Sequence, residues 1–159
     1  MILVTVGSEL PFDRLVKVVD DWARERGRKD VFAQVAESDW RPTYIEYKPF
    51  LEPKEFAQRL TSASVIISHA GMGTILSALR YEKPILVMPR RTAFREVRNE
   101  HQLATAQRLA AMGRIAVALD EKELRERLDR LDELKPKEKI SPYAGPELIA
   151  ALKDFIAAG

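Results

Sequence analysis

Three short runs constrain this chain most: ILVTV (2–6), SVIIS (64–68) and ILVM (85–88). They are apolar and largely β-branched, with no polar alternation. Strands of this kind are covered on both faces, as in parallel sheets. Between them the period changes. Phe12, Leu15, Val16, Val18, Val19, Trp22 and Ala23 recur at helical spacing, and Gly27 is placed to stop that helix. Further strands are expected at Val31–Val35, Tyr44–Tyr47 and Ile115–Leu119. Further helices are expected at Pro53–Ala63, at Thr74–Tyr81, from an Asn99 cap to Met112, and at Glu121–Leu134. In the last of these Leu124, Leu128 and Leu131 share a face. Strands alternating with helices give an α/β chain, a Rossmann-like doubly wound and mostly parallel sheet of about six strands with a C-terminal helix. Residues 1–134 form the domain in this reading. Residues 135–146, with three prolines and a glycine, read as a linker, and 147–159 as a terminal helix docking on the domain or on a partner.

Composition narrows the function classes. A chain of 159 residues is one ordinary domain. A net charge of +2 does not argue for nucleic acid. The absence of cysteine excludes a disulfide framework and a thiolate metal site, and two histidines make a protein-built zinc site a poor expectation. No apolar run approaches a membrane span, and MILVTVG has neither a basic n-region nor a small-residue cleavage site. The many Arg and Glu residues at helical spacing read as solvated helix faces.

In a doubly wound sheet, ligands bind beyond the carboxyl ends of the strands. Three loops meet there: Gly7-Ser8-Glu9, Ser68–Thr74 and Pro89–Gln102. The second is the most informative. After the strand come His69, Ala70, Gly71, Met72, Gly73 and Thr74, and then a helix. Small residues let backbone N–H groups approach a ligand, and the helix N-terminus favours an anion such as phosphate. The alternative is a tight turn using glycine for positive φ. Neither standard phosphate motif fits: no Gly-Lys-Ser/Thr exists, and Leu76 stands where a dinucleotide fingerprint needs a third small residue. The third loop carries Arg90, Arg91, Arg95 and Arg98, and its helix opens with Asn99, Glu100, His101 and Gln102. Polar side chains there suit sugar hydroxyls; equally they form a solvated cap before an amphipathic helix.

SHAGMGTILSAL, KPILVMP and NEHQLATAQRLAAMG, in that order and spacing, resemble the C-terminal half of GT-B glycosyltransferases of family 28. VTVG followed by PFDRLV resembles the opening of a small branch that consists of that half alone. The branch includes the catalytic subunit of the dolichol-pathway UDP-GlcNAc transferase and the small subunit of two-component bacterial exopolysaccharide glycosyltransferases. HAGMGT with MPRR and RNEHQLATA is closer to the latter. The resemblance covers residues 1 to about 119. It implies a UDP-sugar donor bound without a metal. Gly7, Ser8, His69, Ala70, Gly71, Met72, Gly73, Thr74, Ser77 and Arg90 would lie near the nucleotide and phosphates, with His69 catalytic. The N-terminus of the following helix disfavours a charged His69, so it is expected to act as a neutral hydrogen-bond partner. Glu100, His101 and Gln102 would lie near the donor sugar. Ser77 departs from the family, where many members carry a ribose-binding Glu; serine lacks the charge-assisted grip. The resemblance also implies a separate, membrane-associated subunit that binds the acceptor and recruits this one to the cytoplasmic face of the membrane, with self-association when it is missing. Competing readings are a UDP-sugar epimerase-like half, a non-catalytic regulatory or scaffold module, and an NAD oxidoreductase.

Overall fold

The computed structural model describes residues 1–91, 101–111, 113 and 115–134. Among these, six parallel strands form one sheet: β1 (Ile2–Thr5), β2 (Val31–Gln34), β3 (Glu46–Lys48), β4 (Val65–His69), β5 (Ile85–Met88) and β6 (Ala116–Val117), in the order β3-β2-β1-β4-β5-β6. The helices are α1 (Asp13–Arg26), α2 (Pro53–Ser62), α3 (Met72–Arg80), α4 (His101–Ala111) and α5 (Glu121–Leu128). The α/β class and the doubly wound parallel sheet are those read from the sequence.

The sheet explains the unalternating strands. Ile2, Val4, Ile67, Leu86 and Met88 face one core with Phe12, Leu15, Val19 and Trp22 of the α1 side and Leu124, Leu128 and Leu131. Leu3, Ile66, Ile85 and Val87 face the other, with Leu60, Ile75, Leu79 and Leu109. Period two is present, but both phases are apolar because both faces are covered. Gly27 ends α1 in the left-handed region, φ 64°, its N–H reaching the carbonyls of Ala23 and Arg24.

Four boundaries differ from the sequence reading. The Tyr44–Tyr47 strand lies later, at Glu46–Lys48, because the amides of Thr43, Tyr44 and Ile45 donate to the buried Asp20 carboxylate instead of a ladder. The helix expected over Glu121–Leu134 stops at Leu128. Asp129 accepts from Trp22 and Arg26 of α1, and a 3₁₀ turn, Leu131–Glu133, carries Leu131 into the core. The strand expected over Ile115–Leu119 pairs only through Ala116 and Val117. Helix α3 begins at Met72, two residues early, because Ile75 N–H already bonds Gly71 carbonyl at 3.1 Å. The Asn99 cap, Arg95, Arg98, Glu100, the side chain of His101, Met112, the linker and the terminal helix lie outside the described residues.

Chain order sets the site. From β1 the chain moves by α1 to β2 on one side, and later enters β4 on the other. The carboxyl ends of β1 and β4 therefore flank the point where the winding reverses, where a crevice opens. Register puts Thr5 beside Ser68, so Gly7 and His69 leave the sheet as neighbours.

Candidate active site: the crevice between β1 and β4

A cavity of about 390 Å³ fills this crevice. It is lined by Val6, Gly7, Ser8, Glu9, Leu10, His69, Gly71, Met72, Gly73, Thr74, Arg90 and Gln102. All three loops singled out in the sequence contribute to it. Two residues expected there do not line it: the Ala70 side chain is buried in the core beneath α3, and Ser77 sits half-buried farther along that helix.

The glycines make room for His69. Gly71 has φ −87°, ψ 135°, which any residue adopts, so the positive-φ reading of this turn does not hold. A Cβ there would lie 2.2 Å from His69 Cε1. At Gly7, φ is 84° and a Cβ would lie 2.9 Å from His69 Nε2. Side chains are excluded on both sides of the ring. Gly73 is different: among the described residues nothing lies within 4 Å of its would-be Cβ, and it belongs to the first turn of α3.

Among the described residues no side chain caps α3. Its first amides, at Met72, Gly73 and Thr74, precede the first intrahelical bond and open on the cavity. Such an end carries about half a positive charge and favours an anion.

His69 is held from the opposite side. Arg90 Nη1 lies 2.8 Å from His69 Nδ1, and Arg90 Nη2 donates to the carbonyls of Val6 at 2.8 Å and Leu10 at 2.7 Å. The guanidinium also stands 5.0 Å from the Phe12 ring centre. Sequence reasoning placed Arg90 in a basic loop; the structure buries it. Burial, with the Arg90 cation added, pushes the His69 pKa down to about 3. The neutral state is the expected one, but burial is its main cause; the sequence reading ascribed it to the helix terminus.

The Gly7 loop is braced from below. Gln34 donates to the carbonyls of Gly7 at 2.9 Å and Pro49 at 2.7 Å, and accepts from the Thr5 hydroxyl at 2.7 Å. A second, more apolar slot of about 250 Å³ adjoins the cavity through Gly7, Ser8 and Thr74. Its walls are Phe50, Leu51, Pro53 and Phe56, with Thr5 and Gln34. Sequence reasoning missed these residues; the only signal was the FL pair between Pro49 and Pro53. On the far side of the main cavity, Gln102 opens α4, and among the described residues its Oε1 is buried without a hydrogen-bond donor. Such an acceptor is costly to leave unpaired and suits a hydroxyl.

A larger hollow of about 700 Å³ lies along β2, bordered by Asp13, Glu37, Asp39 and Arg41. Its carboxylates, Asp13 in the first turn of α1 among them, repel an anion, so size alone does not make it the site.

This architecture is a Rossmann-like doubly wound domain whose crevice joins a helix N-terminus, an apolar slot beside it and a polar far wall. The chain belongs to glycosyltransferase family 28 as its C-terminal domain, whose family model matches residues 1–148. It is 40% identical over 65 residues to the UDP-N-acetylglucosamine transferase subunit ALG13 of Eremothecium gossypii, a stretch covering 40% of this chain and 30% of that one. The fold is similar to the solution structure of ALG13, with TM-score 0.63, 18% identity, and 99% of this chain and 96% of that one covered. It is also similar to MurG of Acinetobacter baumannii, with TM-score 0.62, 19% identity, and 82% and 40% covered. At such identities these two likenesses establish the shared fold.

Proposed function

We propose that the chain is the donor-binding and catalytic subunit of a glycosyltransferase, moving a sugar from a UDP-sugar to a lipid-diphosphate-linked acceptor. The observation that carries this is the pairing of the bare α3 N-terminus with the His69 ring in one cavity, beside an apolar slot. A diphosphate suits the amides of Met72, Gly73 and Thr74. A uracil ring suits the slot between Phe50 and Phe56. The donor sugar would then extend toward Gln102, whose Oε1 offers an acceptor to a hydroxyl.

The reaction breaks the bond between the sugar's anomeric carbon and the diphosphate oxygen, and forms one from that carbon to the acceptor oxygen. Negative charge grows on the departing diphosphate. The α3 amides and the neutral His69 are fixed before reaction and act on that charge. They carry out this neutralisation without a resident metal in this reading. The proton of the acceptor hydroxyl goes to a base that we assign to a second, membrane-associated subunit. That subunit would bring this chain to the cytoplasmic membrane face; the relative in Eremothecium is itself named a subunit. Among the described residues no helix is long and apolar enough to cross a membrane. Without the partner, self-association through the vacant surface is expected.

The test is thermal stability with UDP, UDP-GlcNAc, UDP-glucose, ADP and NAD, each with and without Mg²⁺. Ligand at about 100 times its Kd adds about 2.7 kcal/mol. For a domain of this size that raises Tm by several degrees. A magnesium-independent rise with uridine ligands alone is expected. A rise with NAD alone overturns the reading. Ser77, in place of a ribose-gripping carboxylate, favours one alternative, a module that binds donor without turnover; failure of the reconstituted pair to transfer sugar would identify it.

A further inference from the structure

We infer that Arg90 is a positioning residue that holds His69 as a fixed hydrogen-bond donor: its guanidinium occupies Nδ1 and leaves the ring proton on Nε2, on the side facing Gly7 and Gly71. Arginine has five N–H donors and no acceptor. The 2.8 Å contact between Arg90 Nη1 and His69 Nδ1 therefore requires a lone pair on Nδ1. A neutral ring with that lone pair carries its hydrogen on Nε2.

Arg90 cannot turn away to relieve the constraint. Its Nη2 is held by the carbonyls of Val6 and Leu10, and Phe12 lies against its plane. One planar fork thus ties the β1–α1 loop to the β4–α3 turn. Lysine has no such fork. Gly7 and Gly71 pass the ring so closely that a Cβ on either would clash with it. Among the described residues the charged side chains lining the cavity are Arg90 and Glu9. The Arg90 cation sits directly on the ring and opposes a second positive charge there. His69 consequently donates to an oxygen in the cavity and does not accept a proton from one. In the donor-binding reading, on which only this last step rests, that oxygen belongs to the diphosphate.

The experiment is long-range proton–nitrogen NMR of the full chain labelled at its imidazole nitrogens, with His101→Gln separating the two histidines. The expected ring is neutral with hydrogen on Nε2, unchanged between pH 8 and pH 5.5. Hydrogen on Nδ1, or a ring that charges in that range, overturns the inference even if no Arg90 variant folds. In Arg90→Met the ring should become a mixture of tautomers. An Arg90→Met spectrum identical to wild type also overturns it. UDP affinity, measured alongside, should fall about 10- to 100-fold in Arg90→Met, the worth of one charged hydrogen bond. Wild type that shows the expected tautomer but does not bind UDP refutes the donor-binding reading and leaves the role of Arg90 standing.

Discussion

Asp20 and His69 are both polar side chains drawn into the fold, Asp20 fully buried and His69 partly, and they are used in opposite ways. Asp20 is 1% exposed and fully occupied: it accepts from the amides of Thr43, Tyr44 and Ile45, from the Thr43 hydroxyl and from Arg24. Nothing about it is left for a ligand. His69 has one ring nitrogen fixed by Arg90 and the other directed between two glycines that line a cavity. Gln102 shows the same incompleteness across that cavity. Buried polar groups satisfied from within hold a fold together; those left with spare capacity in a crevice are candidates for meeting a ligand.

The contrast gives predictions of decreasing size. Asp20→Ala strands three backbone amides and should lower stability by about 3–5 kcal/mol, read by urea unfolding. UDP affinity measured on the folded fraction should stay near wild type; a large loss would blur the distinction. Gly71→Ala forces the His69 ring to move. It should lower stability by about 1–3 kcal/mol and weaken UDP binding about tenfold or more. Unchanged binding would show that the ring's place does not matter.

A smaller effect, taken per pH unit, comes from the titration of His69. The folded His69 takes up a proton only near pH 3, while in the unfolded chain it does so near its ordinary 6.5. Between these values the unfolded state binds more protons, so stability rises with pH and the gain is complete above 6.5. The slope from this group approaches about 1.4 kcal/mol per pH unit. His69→Gln should remove that component; parallel curves for the two proteins would contradict it. Smallest is Gly73→Ala, which meets open space in a helical turn and should stabilise by about 0.5 kcal/mol in thermal melts. A loss there would mean that the helix start differs.

The sheet was legible because covered strands leave a strong mark: ILVTV, SVIIS and ILVM are apolar in both phases. The crevice was legible too, since Gly7, His69 and Gly71 end strands at the turn of the winding. Other features were set by tertiary contacts that no local pattern records. Asp20 reads as a charged residue on a helix, yet from α1 it moves the start of β3. Asp129 of the last turn meets Trp22 more than a hundred residues away in sequence, and α5 ends there. Arg90 looked like one cation among four in a basic loop; its burial depends on the carbonyls of Val6 and Leu10, at the far end of the chain. Phe50 and Leu51 carry no periodicity, so the apolar slot emerged only once α2 had been placed.

In the proposed reading the β1–β4 crevice binds a uridine diphosphate group. Titrating UDP into the ¹⁵N-labelled full chain tests it residue by residue. Shifts are expected at the amides of Gly7–Leu10 and Gly71–Thr74, with Thr43–Ile45 on Asp20 unmoved. Shifts confined to Glu37–Arg41 at the larger hollow, or none at saturating UDP, would contradict it.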